Sequence, residues 1–326
     1  MSGSKIFSGR YLVLVFLSLI IALSTVPLAA HASTRTIYFT NTAFTTWVVP
    51  ADWNSASNTI EAIGPGAEGA VHVGTTGGVG GGAGAYARIT NLSLTVGASV
   101  SYRLPGFITS AGPGCDTSLG GVYFNGASAA TASITADCGA GGTVALTPGG
   151  GGTTAASIGT TKYAGGNGGA HGTRGGGGGG GAGGPNGAGA TGANGAAGNG
   201  GDGGNADAGF GGAGGAGTAI DSGTPGGDGG NGTEFTASFG SGGGGGGGGG
   251  SSAGACGEQG GAGGTYGAGG GGQGATPDAG CPDLPGDHAF GKGGIIIMKY
   301  DPVPVPTKIL VKGGKFMIRG GKVKLR

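Results

Sequence analysis

Charge is scarce in this chain of 326 residues: 10% of positions are charged and 6% aromatic, whereas a soluble domain is typically about one-quarter charged. So few charges do not build a disordered acidic or basic tail along the whole length. The 93 glycines leave many positions with no side chain at all. They exclude a continuous conventional core, and they argue against an ordinary α/β enzyme, because glycine destabilises helix and strand interiors alike. Cysteine is limited to Cys115, Cys138, Cys256 and Cys281. No Cys-x-x-Cys pair occurs, and His171 and His288 stand alone, which argues against zinc. Proline is absent from the one stretch with glycine at every third position, 189 to 204, and that register fails at Asn186 and Asp207. Collagen needs a sustained, proline-rich triplet, so it is excluded.

The first 32 residues read as an export signal. Lys5 and Arg10 precede an apolar run from Tyr11 to Ala30, and Ala30-His31-Ala32 has the small-x-small form of a cleavage site, with Ser33 as the first mature residue. An uncleaved anchor is the competing reading, since the run approaches the ~20 residues that span a bilayer; Pro27 and the small residues after it favour cleavage. The expected location is therefore outside the cytoplasm, secreted or on the cell surface. Four cysteines in an exported chain imply two disulfides. Three pairings are open, of which Cys115–Cys138 with Cys256–Cys281 closes the shortest loops.

Residues 33–105 are β-rich. Runs at 36–40, 45–49, 59–63, 85–89, 92–96 and 100–104 are β-branched, aromatic or alternating, with Pro50, Gly64-Pro65-Gly66 and Gly97 as breaks after the second, third and fifth. After the glycine-rich stretch, Ile295, Ile296 and Ile297 head a further strand at 295–300, expected to share a sheet with 59–63. The fold class is all-β: a small β-sandwich-like module formed by 33–105 and 291–300, carrying a large glycine-rich insert at 106–290. Within the insert, 122–125 and 134–136 are apolar enough for a hairpin.

Two readings fit the rest of the insert. One is a flexible linker. The other is a bundle of polyglycine II helices, left-handed and threefold, in which N–H and C=O groups point outward and bond to neighbouring helices where side chains are missing. A structureless segment of this length with two cross-links would be unusual.

Residues 301–307 form a stiff, proline-rich spacer. Beyond it, runs at 309–312, 315–319 and 322–326 are separated by Gly313-Gly314 and Gly320-Gly321, two-residue hairpin turns, and predict a basic β-meander. The overall charge of +1 hides a segregation: 106–290 holds eleven acidic residues against Lys162 and Arg174, while the tail concentrates Lys308, Lys312, Lys315, Arg319, Lys322, Lys324 and Arg326. Such a tail suits nucleic acid, an anionic lipid or lipopolysaccharide surface, or an acidic face of this chain or a neighbour; lysines guarding a strand edge against aggregation are the plainer reading.

Motifs for chemistry are weak. Dinucleotide fingerprints arise by composition alone, and none opens a helix after a strand. Residues 286–293 approach a phosphate loop but lack the Ser or Thr that holds magnesium, so no nucleotide is expected. Asp202, Asp207 and Asp228 lie among glycines without forming the calcium repeat. No nucleophile elbow is present. No catalytic residue, metal or cofactor is assigned.

The ordered set Trp47-Val-Val-Pro50, Thr59-Ile-Glu-Ala-Ile-Gly64, Gly84-Ala-Tyr-Ala87, Leu94-Thr-Val-Gly97 and the closing run 294–300 resembles the glycine-rich domain of phage tail-fibre proteins and adhesins, over about residues 36 to 300. The resemblance implies a β module whose insert is, in some tail-tip adhesins, a layered polyglycine II bundle with loops that contact host receptors, and so favours ordered packing here. The implied function is non-enzymatic adhesion or structure, with a cell-surface or envelope component, protein or polysaccharide, as partner. Tyr163, Phe210, Phe235 and Tyr266 are candidate loop contacts, since isolated aromatics suit recognition when exposed; packing anchors are the other reading. The export signal and the basic tail depart from the family pattern. They suggest an exported protein using the same module, or a matrix scaffold anchored by its tail.

Overall fold

The computed structural model describes residues 33–41, 44–108, 121–251, 256–275, 289–303, 309–312 and 315–318. Residues 1–32, read above as an export signal, Cys115, Cys281 and the third basic run lie outside them. The fold is all-β. One antiparallel sheet has five strands in the order β1-β9-β3-β4-β8, and a second has four in the order β2-β5-β6-β7. The strands are β1 (Arg35–Phe39), β2 (Phe44–Val48), β3 (Asn58–Ile63), β4 (Tyr86–Thr90), β5 (Ser99–Arg103), β6 (Val122–Phe124), β7 (Ile134–Ala136), β8 (Thr161–Tyr163) and β9 (Ile295–Tyr300). A separate hairpin pairs β10 (Ile309–Lys312) with β11 (Lys315–Ile318).

Period-two alternation builds the sandwich. Phe39, Ile60, Ala62, Ala87, Ile89, Ile296, Met298 and Tyr300 from the five-stranded sheet meet Val100, Tyr102, Val122, Phe124, Ile134 and Ala136 from the other, with Trp53 at the margin. The opposite face of the five-stranded sheet is covered too. Ile63, Tyr86, Ile295 and Ile297 form a second cluster with Ala182 and Ala206, against which Tyr38, Tyr163, Phe235, Phe239 and Tyr266 pack. Burial on both faces explains the unbroken isoleucine run of β9. As expected, β9 pairs with β3, placing Ile60 beside Met298 and Ala62 beside Ile296.

Residues 92–96 are not a strand. Asn91 turns the chain at φ 56°, and the Asn58 carboxamide takes the Leu92 N–H at 2.8 Å. Leu92 and Leu94 then pack on the core edge without ladder partners.

The glycine-rich segments are ordered by backbone hydrogen bonds with a period of three. In thread 176–183, Gly176, Gly179 and Ala182 donate to Gly248, Gly245 and Gly242; Gly177, Gly180 and Gly183 donate to Gly78, Gly81 and Gly84; Gly178 and Gly181 donate to Ala193 and Ala190. The carbonyls of the same thread accept with the same period from Gly272 and Gly269, from Gly201, Gly204 and Asp207, and from Gly169 and Gly166. One thread thus bonds to six neighbours, which is the arrangement of packed polyglycine II helices. Threads 78–84, 242–248 and 267–274 are enclosed in the same way, and all of these residues are buried.

The spacing of glycine follows from this packing. A Cβ on Gly178 would collide with the Asp202 carbonyl and one on Gly180 with the Gly166 carbonyl, so 176–181 and 242–248 are glycine throughout. A surface thread needs glycine only in the rows that face inward. Gly189, Gly192 and Gly195 press on the carbonyls of Gly181, Gly178 and Gly175, while Ala190, Thr191, Ala193, Asn194 and Ala196 are exposed. The triplet register of 189–204 marks two such surface threads, and its breaks at Asn186 and Asp207 are chain reversals.

The bundle is not confined to 106–290. Threads 64–70 and 78–84, which continue β3 and lead into β4, belong to it, and β6, β7 and β8 from within 106–290 complete the sheets.

Candidate functional site: the far face of the glycine bundle

The threads alternate in direction along the sequence. Segments 64–70, 137–140, 166–172, 189–196, 212–219, 242–249 and 267–274 run away from the sheets, and those between them return, as the directions of their hydrogen-bond registers require. Reversals therefore collect at two ends. At the sheet end lie 184–188, 207–211, 231–241 and 264–266. At the far end lie 71–77, 141–148, 172–175, 196–199, 219–225 and, among the described residues, 250–251 and 256–257.

The far reversals form one connected surface. Ala275 donates its N–H to the Arg174 carbonyl at 2.6 Å, Ser251 to Ala275 at 3.0 Å, Gly250 to Gly198 at 2.7 Å and Asp221 to Gly250 at 3.0 Å. The His72 ring Nδ1 lies 2.9 Å from Gln273 Oε1, and the Arg174 guanidinium reaches the Ser251 carbonyl at 3.5 Å. Side chains reappear here after long runs without any. Val73 is 45% exposed, Val144 69% and Ile220 37%, interspersed with Thr75, Thr173, Ser222 and Thr224. The surface offers small apolar patches ringed by hydroxyls, with Arg174 and Asp221 among its charged residues. That composition suits recognition by shape and hydrogen bonding.

The four aromatic candidates all lie at the sheet end. The Tyr163 ring is 6.1 Å from that of Tyr86. Phe235 receives the Lys299 ammonium 5.1 Å from its ring centre. Tyr266 lies 6.0 Å from Phe239, which stacks on Tyr38 at 4.2 Å. These three pack against the second cluster; Phe210 alone is broadly exposed, at 72%, after a short 3-10 turn at Asp207–Gly209. The far-face residues were missed because none is aromatic. The usable signal was the interruption of glycine by Thr173-Arg174 and by Ala219-Ile220-Asp221.

Several acidic residues of the bundle have structural partners. Asp202 Oδ1 accepts the Gly217 N–H at 2.8 Å, flanked by Asn199 on Ile220 at 2.9 Å and Asn205 on Gly214 at 2.8 Å. Asp228 takes Ala262 at 2.8 Å, Asn231 takes Thr265 at 2.8 Å, Asn194 takes Ala170 at 2.9 Å and Asn167 takes Gly151 at 2.7 Å. Each carboxylate or carboxamide bonds an amide that has no further thread to meet, so the edges of the bundle are closed by side chains. Asp207, fully buried, accepts the Asn186 and Gly187 N–H groups at 2.6 and 2.8 Å and ties two reversals together. Among the described residues no group of three or more His, Cys, Asp or Glu is placed to hold a metal ion.

Under the sandwich, Glu61 is buried on the covered sheet face, accepting from Tyr86 Oη at 3.2 Å and pairing with Lys299 at 3.4 Å. Burial first, then the Glu61 charge, pushes the Tyr86 phenol well above its ordinary range. A shallow hollow of about 460 Å³ lies at the foot of this sheet, lined by Thr34, Ser57, Thr59, Thr90, Lys299 and Asp301 among others. Asp301 accepts the Thr34 and Ser57 hydroxyls at 2.6 and 2.8 Å, which hold its carboxyl below the usual range.

Among the described residues Cys138 and Cys256 are disulfide-bonded and neither is free; Cys115 and Cys281 fall outside the described residues, so no pairing is assigned. Of the basic tail, Lys312 and Lys315 are register partners in the hairpin backbone, and Lys308, Arg319, Lys322, Lys324 and Arg326 lie outside the described residues. No family model matches this chain, and no curated protein matches it significantly.

Proposed function

We propose that the protein is an exported, non-enzymatic recognition or structural module that displays the far face of its glycine bundle to a cell-surface or envelope component, protein or polysaccharide. One observation carries this reading: the molecule is polar. Thr34 and Asp301, joined at 2.6 Å, bring both chain exits to the sheet end, while the connected reversals 71–77, 172–175, 196–199, 219–225 and 250–251 occupy the opposite end. A bundle held by its own backbone is a stiff spacer. It fixes the loops at its tip with little ordering cost left to meet on binding, which favours affinity.

Binding of the labelled protein to intact cells or isolated envelope tests the proposal. Replacing Val73, Arg174 and Ile220 together with serine should abolish binding and leave circular dichroism unchanged. Binding that survives this change and is lost instead on replacing Phe210 would move the recognition surface to the sheet end. A second reading, a scaffold held by its basic tail, is favoured by the separate pairing of β10 and β11, and the tail has a chemistry of its own.

A further inference from the structure

The five-stranded sheet is longer than its cover. On the face toward the bundle, alternate residues of β9, β3 and β4 form rows across the strands. The first row, Ile295, Ile63 and Tyr86, is buried and packs with Ala182 and Ala206. The second is Ile297, Glu61 and Arg88, and the third, Lys299, Thr59 and Thr90, is wholly polar. Beyond the third, the same alternation reaches Asp301 and Ser57, with Thr34 bonded to Asp301. Exposure rises in step: Lys299 and Thr59 are half-buried, and Thr90, Asp301 and Thr34 are exposed. The change from isoleucine to hydroxyl marks where the bundle stops.

These uncovered rows are not flat. With Asn91 they enclose the hollow of about 460 Å³, a size at which small molecules are bound. Polarity is all that a solvated strand end requires, whereas this one is concave and its hydrogen-bonding groups are not used up. The hydroxyls of Thr59 and Thr90 and the carboxamide of Asn91 have no partner among the described residues. Asn91 is placed by its backbone alone, at φ 56° with its N–H on the Asn58 carbonyl at 2.9 Å. The Thr34 and Ser57 hydroxyls donate to Asp301 at 2.6 and 2.8 Å, and each retains lone pairs that accept. Lys299 has three donors, pairs with Glu61 at 3.4 Å and keeps its side chain 38% exposed.

The charges narrow the ligand. An anion at Lys299 would meet Glu61 and Asp301, and a cation at Asp301 would meet Lys299. Ala56 is the one aliphatic side chain among the described residues of the lining, which leaves little to hold an apolar compound. A neutral molecule with hydroxyls on adjacent carbons gives and takes hydrogen bonds at close spacing, and it matches donors and acceptors mixed in this way.

We propose that the hollow at the foot of the five-stranded sheet is a saccharide site that takes a terminal unit of a neutral sugar. It lies at the opposite end of the molecule from the far face and does not depend on what that face binds.

The test uses the full protein with glucose, galactose, mannose, fucose and N-acetylglucosamine in turn. Saturation-transfer NMR should show contact with at least one of them, and titration then gives the affinity. T59V/T90V keeps the β-branched shape that suits a strand and removes two unused hydroxyls, so it should weaken binding on the order of tenfold. Asn91→Gly keeps the left-handed turn and removes only the carboxamide, and should weaken binding about threefold. V73S/R174S/I220S, at the far face, should leave sugar binding as it is. Circular dichroism should be the same in all three variants. No contact with any of these sugars, an affinity that neither T59V/T90V nor Asn91→Gly alters, or a loss confined to the far-face variant would overturn the proposal. So would tighter binding of glucuronate than of glucose, which would make the hollow an anion site on Lys299.

Discussion

The sandwich and the bundle reach the same dry interior by opposite routes. Between the sheets, large side chains fill the space and the backbone is satisfied along strands: Phe39, Phe124 and Trp47 lie with ring centres 6.0 to 6.1 Å apart. In thread 176–183 there is almost no side chain to bury, and the amides themselves meet neighbours in six directions. A net backbone bond is worth about 0.5–1.5 kcal/mol, while fixing a residue costs about 1–2 kcal/mol, and glycine loses more than any other. No thread is therefore stable alone. The bundle stands only as a closed lattice, seated on the sheet through Ala182, Ala206 and Tyr266. Side-chain cores tolerate changes of shape; a lattice of carbonyls does not.

That difference is measurable. Phe124→Ala empties a fully buried site in the sandwich and should destabilise by about 3–5 kcal/mol in denaturant titrations. Gly178→Ala adds one carbon where the Asp202 backbone already stands, and should cost about 3 kcal/mol, at the upper end of overpacking. Gly150→Ala, which meets nothing within 4 Å, should stay within about 0.5 kcal/mol of the parent. Equal effects at Gly178 and Gly150 would remove the distinction between interior and surface rows.

Alkaline titration separates the regions differently. Burial raises the phenol of Tyr86 above its ordinary value, and those of Tyr102, Tyr266 and Tyr300 are raised in the same direction. A raised folded-state value means stability that is complete below the unfolded tyrosine value, near 10, and is lost as pH climbs beyond it. Thermal melts should fall above about pH 10, less steeply in Tyr86→Phe. The edge ladder is a smaller effect: Asp202→Ala leaves the Gly217 amide to water and should cost about 1 kcal/mol, with Asp202→Asn restoring most of it. Smallest is Asp301, fully exposed. Its lowered carboxyl value gives a contribution present above the unfolded value near 4 and lost as pH falls through the folded one, visible as a shallow acid slope missing from Asp301→Asn.

The sandwich was legible because alternation survives in short strands: Thr59 to Ile63 and the isoleucines of β9 state their pairing in sequence. β8 was not, since three residues flanked by glycine carry no period. Residues 92–96 misled because Leu92 and Leu94 alternate like a strand while Asn91 and Asn58 direct the chain elsewhere. Glycine content allowed the bundle without deciding between order and linker, because what distinguishes them is which amide meets which carbonyl, a relation between distant segments such as Gly179 and Gly245. The far face was hidden for the same reason. Only thread direction gathers Val73, Arg174 and Ile220, and the aromatics that drew notice anchor the other end.

Amide hydrogen exchange, resolved to the thread, tests the central claim most directly. Backbone amides of 176–183 and 242–248 should exchange as slowly as those of Ile60 in β3 and Ile296 in β9, while Thr191 and Asn194 on the surface row exchange fast. Free-peptide rates through 176–183 in a molecule whose strands remain protected would contradict it.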